Sequence, residues 1–431
     1  MSQKPYPKRL ILRHFFVIWR KGRKIGLFKA ISSRKKTINK KIGQKLSKGA
    51  KTDMIKKQTI EYKIVSIIGL AGEIQTEEIY KLKYGKEYIR KTISKLITKK
   101  CIKVYKFDNK KYLRLTVACK RYLLKNFPER FASMFTGATR ANKIRNEEHR
   151  LTRYHRLGEL LILLDLADVK IFSDEKTLWK KTHGFTEADG TDFTDYSSDK
   201  RKAEFYTATE LKAFGFFGNA RTSRAMGIIY SYPDVFVIYY FTDEFPKLEY
   251  KTEHSFWHSV GYKIHFHLQC DTNSLAKIIF IGDSMKILMG ILRDKRKSTE
   301  KILKMNYYDD AVMFLDKSHL GSRQLMYFIN ERARNEMKEF AYNYFGADTS
   351  GYHIGSISNT GTVVMDCTIC NPNDISNVKY ISTGKSIDTK SVNVMCFDFQ
   401  YECIRKFIED SDNVEYYTYD SEKVLGTEDT R

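Results

Sequence analysis

From residue 60 the apolar positions fall into a regular order. Tyr62, Ile64, Val65, Ile67, Ile68 and Leu70 recur at helical spacing and predict a helix that stops in the Gly69–Gly72 segment. Thr76, followed by Glu77 and Glu78, marks the start of a short helix carrying Ile79 and Leu82. Tyr84-Gly85-Lys86 reads as a turn. A third helix over 87–99 buries Ile89, Ile93, Leu96 and Ile97 and turns Tyr88, Arg90, Lys91, Ser94 and Lys95 outward. Alternation then replaces the helical period. Ile102, Val104, Tyr105 and Phe107, a tip at Asp108-Asn109-Lys110-Lys111, and Tyr112, Leu113 and Leu115 predict a hairpin, and a helix follows over 116–126.

Helix, short helix, turn, helix, hairpin is the order of a winged helix-turn-helix, here spanning 58–136. In such a module the second helix of the pair enters the major groove of DNA and the hairpin touches the backbone. Tyr88, Arg90, Lys91, Ser94 and Lys95 are therefore the candidate DNA-facing side chains, with Lys110 and Lys111 on phosphates. The competing reading is a module used for protein contact, its charges only solvated.

Beyond a polar linker at Gly137–Arg145, a long helix is predicted over 147–166, with Leu157, Leu160, Leu161 and Leu164 at core spacing. Residues 173–203, rich in Asp, Thr, Ser and Lys, read as a surface loop or lid. Strands are predicted over 225–230, 234–241, 247–252, 264–268, 276–281 and 311–315, with helices over 253–260, 284–293 and 322–345. From 351 the chain repeats strand, loop, strand (392–397) and helix (401–408), and its last twenty residues, acidic and Tyr-rich, are expected to be loose. The fold class is α+β: a basic arm (1–57), the winged helix (58–136), a mixed-sheet α/β domain (147–350) and a C-terminal α/β extension with an acidic tail (351–431).

Composition changes this picture in three ways. With 42% hydrophobic and 13% aromatic residues, the 431-residue chain has enough apolar material for two or three folded domains. Seven scattered cysteines do not suggest a disulfide framework, and the longest apolar run near the start, 14–19, is too short for a signal-peptide core. A cytoplasmic protein without stable membrane insertion is expected. The charge is uneven: of a net +25, residues 1–57 supply 19 Lys or Arg against the single acid Asp53. Arg20, Lys21, Arg23 and Lys24 form the densest run, with Ser33-Arg34-Lys35-Lys36 beyond it. Such an arm adds salt-sensitive, sequence-independent affinity for phosphates. It also fits a solubilising tail, or a membrane-surface helix with Leu10, Ile11, Phe15, Ile18 and Trp19 as its apolar stripe.

Three constellations offer chemistry. Pro233-Asp234 followed by Glu249-Tyr250-Lys251 has the shape of the PD-(D/E)xK nuclease motif. Asp234 and Glu249 would hold Mg²⁺ and Lys251 would orient the attacking water, with Glu249 and Lys251 sharing a strand face and Glu159 available as a third carboxylate. Ile264-His265-Phe266-His267-Leu268 matches the His-x-His of HUH nickases, in which the metal would sit on His265 and His267 and a Tyr such as Tyr327, Tyr342 or Tyr344 would attack DNA; His254 and His258 offer a separate metal pair. Cys367-Thr368-Ile369-Cys370, with Cys396 and Cys403, has the elements of a zinc site at unusual spacing. No Walker-type phosphate loop occurs, so NTP hydrolysis is not supported. Both metal motifs are short enough to arise by coincidence.

On the 58–125 module, Thr222-Ser223-Arg224-Ala225-Met226-Gly227-Ile228-Ile229 and Lys247-Leu248-Glu249-Tyr250-Lys251-Thr252-Glu253, the chain resembles the replication–relaxation proteins of Gram-positive plasmids and integrative elements. The resemblance covers about residues 58–300. It implies a DNA-binding role in replication or mobilisation of a mobile element, a restriction-endonuclease-like domain behind the winged helix, and replication or transfer proteins as partners. It lends more weight to the Glu-x-Lys segment than to Asp234, and none to the His-x-His. The sequence therefore leaves three functions open: a DNA reader for a mobile element, a Mg²⁺-dependent endonuclease or nickase, and a transcriptional regulator without catalysis.

Overall fold

The computed structural model describes residues 55–135, 147–176, 203–213, 223–231, 234–242, 248, 250–268, 276–293, 312–330, 336, 339, 343–344, 362–384, 390–409 and 411–425. The arm residues Arg20, Lys21, Arg23 and Lys24, the 137–145 linker, most of the 173–203 loop, Pro233, Glu249 and Tyr342 lie outside them.

Helix α1 (Ile60–Ala71) starts where the Thr59 hydroxyl accepts the Tyr62 N–H, and ends at Gly72, whose φ of +87° suits a residue without a Cβ. Strand β1 (Glu73–Gln75) follows, too short for alternation to announce it. In helix α2 (Thr76–Ile79) the Thr76 hydroxyl donates to the Lys111 carbonyl instead of capping. Helix α3 (Lys86–Thr98) buries Ile89, Thr92, Ile93 and Leu96; Ile97, expected inside, is exposed. Strands β2 (Ile102–Phe107) and β3 (Lys110–Leu115) form the antiparallel hairpin. Its turn is Asp108-Asn109, both at positive φ, which matches the twist of the strands, so Lys110 and Lys111 lie on β3 and not in the tip. β1 adds to β3, and α4 (Val117–Asn126) and α5 (Pro128–Phe131) complete this segment.

Helix α6 (Glu147–Leu166) has the bounds its apolar spacing predicts and joins the N-terminal elements to the rest. A Cβ on its Gly158 would meet the Ile74 side chain at 2.8 Å, so β1 and α6 approach too closely for a larger residue. One apolar core runs from Ile64 and Leu96 through Leu160 and Leu164 to Ile238 and Ile281.

The larger sheet has the order β4-β5-β6-β7-β8. β4 (Glu204–Thr207), followed by the short helix α7 (Ala208–Ala213), β5 (Gly227–Ser231) and β6 (Asp234–Phe241) are antiparallel; β7 (Lys277–Gly282) and β8 (Val312–Asp316) run parallel to β6. Helices α8 (Tyr250–Leu268) and α9 (Met285–Leu292) make the crossovers, and α10 (His319–Phe328) follows β8. A second, all-parallel sheet contains β9 (Thr362–Asp366), β10 (Ser391–Phe397) and β11 (Val414–Tyr419), with α11 (Pro372–Ser382), α12 (Asp398–Ile408) and α13 (Ser421–Leu425). The sheets abut where the Phe314 N–H of β8 donates to the Ile369 carbonyl just past β9, at 3.0 Å. Side chains of β6 alternate between two cores: Phe236, Ile238 and Tyr240 face α6, and Val235, Val237 and Tyr239 face α8. The class is α+β, with mixed sheets.

Three expectations are corrected. The strands predicted at 247–252 and 264–268 do not form; both predictions run into the single helix α8. Phe256, Trp257, Val260 and Ile264 are buried at helical spacing, and the parallel pair β6–β7 requires a long crossover between its strands. The helix predicted over 322–345 begins instead at His319, capped by the Ser318 hydroxyl, and is interrupted after Phe328, before Asn330, a residue type that favours helix ends, while residues 336, 339, 343 and 344 are again helical. The acidic tail is not loose through 425: Val414–Tyr419 pairs with β10, and Tyr416 and Tyr419 are half-buried.

Candidate nucleic-acid interface

The α3 face expected to meet DNA is solvent-facing. Tyr88 is 57% exposed, and Arg90, Lys91, Ser94 and Lys95 are exposed with it, because the opposite stripe, Ile89, Ile93 and Leu96, is fixed in the core. Their charges are not equivalent. Arg90 pairs with Glu87 on its own helix at 2.9 Å. Lys95 reaches across to Glu61 of α1 at 2.6 Å, and Lys99 holds the other oxygen of that carboxylate at 2.9 Å. Burial pushes the Glu61 carboxyl up, but the Lys95 and Lys99 hydrogen bonds outweigh it and leave it below its ordinary value. Lys95 is thus already engaged with an anion of its own chain, which sequence reasoning missed because the two positions lie on different helices.

The hairpin supplies further cations. Lys110 and Lys111 are exposed on β3, and Lys103 and Lys106, which the sequence reading did not single out, are exposed on β2. Lys106 and Lys111 are register partners, directly opposite each other across the hairpin. Like charges so placed destabilise a strand pair unless an anion is near. The signal for Lys106 was present in the alternation; only the register makes the pair visible. Arg114, by contrast, is committed to the buried Glu73 and lies over the Tyr105 ring.

Charge along the chain sharpens this contrast. Residues 1–135 carry 37 Lys or Arg against eight acids, whereas residues 136–431 carry 39 against 43. The positive excess therefore belongs to the arm and the N-terminal elements alone.

Three polar clusters of the α/β region bear on the candidate sites. Asp234, the first residue of β6 and 1% exposed, is ion-paired with Lys277 of β7 at 2.7 Å. Glu159 accepts the Tyr240 hydroxyl and lies near His155 (3.3 Å) and Lys317 (3.6 Å); Lys317 also pairs with Asp283 at 2.9 Å. Burial, then the Glu159 carboxylate, push the Tyr240 phenol far up, so it remains a donor. Tyr240 lies six residues along β6 from Asp234, about 20 Å at strand rise, so Asp234 and Glu159 do not share a site. The third cluster joins two segments that the sequence reading noted separately. Glu253, 1% exposed, accepts the Ser223 hydroxyl (2.6 Å), the Arg224 N–H (3.0 Å) and the Tyr239 hydroxyl (2.5 Å), and Trp257 Nε1 donates to that same tyrosine (2.8 Å). This carboxylate ties the start of α8 to β6 and to the chain before β5.

The expected strand pairing of Glu249 with Lys251 is replaced. Lys251 stands in the first turn of α8, and Glu249 lies outside the described residues. His265 and His267 are also in α8, where residues two apart are about 200° apart around the axis, so the shared strand face on which the nickase reading rested is gone. Of the candidate nucleophiles, Tyr327 is half-buried and Tyr344 exposed. Cys367, Cys370 and Cys396 are buried, and burial pushes their thiols up, Cys396 to about 12. Among the described residues, no group of three or more His, Cys, Asp or Glu is arranged to hold a metal ion, and no helix is long and apolar enough to cross a membrane. Comparison with protein-family models, curated proteins and solved structures gave no match.

Proposed function

We propose that this chain binds duplex DNA and serves the replication or mobilisation of a mobile genetic element. In this reading residues 55–135 are a winged helix: α3 enters the major groove, β2–β3 lies on the phosphate backbone, and the 1–57 arm adds phosphate contacts. One observation carries it. Exposed cations cluster on α3 and the hairpin, in the part of the chain that holds all of the positive excess, and two of them, Lys106 and Lys111, oppose each other across the strands with no ion-pair partner among the described residues. A solvated protein-contact module has no need of that arrangement. Support for the mobile-element role comes from the resemblance in 58–125, 222–229 and 247–253, and replication or transfer proteins of the same element are the corresponding partners.

Catalysis is not part of the proposal, because Asp234 is neutralised by Lys277 and lies far from Glu159. The test is fluorescence anisotropy with a labelled duplex across a salt series. Binding should weaken steeply with salt, and Lys91→Ala should reduce affinity. Salt-insensitive binding, or none, refutes the reading. The same mixtures supplied with Mg²⁺ should leave supercoiled DNA intact; scission lost in Glu249→Ala would replace the proposal with an enzyme.

A further inference from the structure

We infer that His254 and His258 form a site for one borderline divalent transition-metal ion of the Zn²⁺ class. They lie at i, i+4 on α8, with ring centroids 4.2 Å apart and Nε2 atoms 3.1 Å apart. His258 is exposed and His254 half-buried, so the pair opens to solvent. Two nitrogen ligands at about 2.05 Å from one ion are separated by about 3.3 Å in a tetrahedron and about 2.9 Å at a right angle. The observed spacing falls between these limits, so the Nε2 separation already suits chelation, and each ring has only to turn its lone pair off the Nε2–Nε2 line, by about 40°, toward a shared ion.

The helix under the pair is held firmly. Phe256, Trp257, Val260 and Ile264 are buried against the sheet, and Glu253, adjacent to His254, is locked by its three hydrogen bonds. The Trp257 ring also meets His254 edge-on, with centroids 6.2 Å apart. The two ligands are thus presented by a fixed backbone, which lowers the ordering cost of binding.

Without metal, one Nε2–H donates to the other Nε2. Metal binding needs both Nε2 lone pairs, so the donating ring moves its proton to Nδ1 through solvent. Imidazole suits Zn²⁺, Ni²⁺ and Cu²⁺, whereas Mg²⁺ and Ca²⁺ prefer oxygen ligands. Water fills the remaining positions. This site shares no residue with α3, with the hairpin or with Asp234.

The experiment is calorimetric titration of the metal-free full chain with Zn²⁺, Ni²⁺ and Mg²⁺. Zn²⁺ and Ni²⁺ should bind, and His254→Ala and His258→Ala should each remove one equivalent or weaken it by more than about tenfold. Mg²⁺ should not compete. Uptake unchanged in both variants overturns the inference. A second measurement needs no variant: on the unsubstituted chain, substoichiometric Cu²⁺ should broaden the His254 and His258 ring resonances before those of the other histidines. Broadening that starts at other histidines overturns it as well.

Discussion

Removing the opposed lysines of the hairpin should move binding and stability in different directions. Lys106 and Lys111 are register partners across β2–β3, and both are exposed. Replacing both with alanine removes two phosphate contacts. Each contact contributes about 0.9 to the slope of log affinity against log salt, so that slope should flatten by about 1.8. Between about 50 and 200 mM salt, this difference amounts to about twelvefold in the affinity ratio of parent to variant. The parent should therefore hold its largest advantage at low salt and lose most of it at high salt. Folding should respond the other way: directly opposed like charges destabilise a strand pair, so the midpoint of thermal unfolding should stay level or rise. Anisotropy across salt and a melt of each protein test both halves. An unchanged slope refutes the phosphate role of the hairpin, and a lower midpoint refutes the charge argument.

Other perturbations follow from the same geometry. Glu61→Gln should tighten DNA binding by releasing Lys95, and should lower stability at neutral pH. Because the folded carboxyl titrates below its ordinary 4.5, its stabilisation is full above that value and is lost as pH falls through the lower folded value, so the gap between parent and variant in chemical unfolding should close on acidification. Asp234→Ala removes the carboxylate paired with the buried Lys277 ammonium and should cost about 3–5 kcal/mol in denaturant unfolding, with or without Mg²⁺, while pairing it with Lys277→Met should recover much of the loss. A requirement for Mg²⁺ to see any effect would show that Asp234 acts as a ligand. Cys367, Cys370 and Cys396 should resist alkylation in the native chain at about pH 8 and react after denaturation, as read by mass spectrometry; rapid native labelling would contradict their burial.

The two stretches with the strongest patterns were legible with their bounds. Glu147–Leu166 has core leucines at helical spacing over five turns, and Asp234–Phe241 is a β-rich run that serves both faces of a sheet. In each, local preference and global role agree, so neighbouring residues carry the answer. The helix–helix–hairpin order of the N-terminal elements was equally readable, because capping, turn and alternation signals all lie within a few residues of the atoms they organise. The exposed face of α3 and two of the four hairpin lysines, Lys110 and Lys111, followed from that order.

What tertiary structure alone decided involves residues distant in sequence. Ile264-His265-Phe266-His267-Leu268 alternates like a strand, yet β6 and β7 lie side by side and parallel, and joining them makes the same residues the end of a crossover helix. That change removed the strand face shared by His265 and His267, while His254 and His258 stay one turn apart on the helix already predicted over 253–260. The acidic, Tyr-rich tail gained a strand only because β10 offered it an edge. Only the packing of β7 on β6 sets Lys277 beside Asp234, and only the packing of α1 presents Glu61 to Lys95. The sequence by itself determined where charge accumulates and, where local preference and global role agree, which segments coil or extend, since both depend on near neighbours. Which charges are already answered within the chain depends on distances across the fold, and no local pattern encodes those.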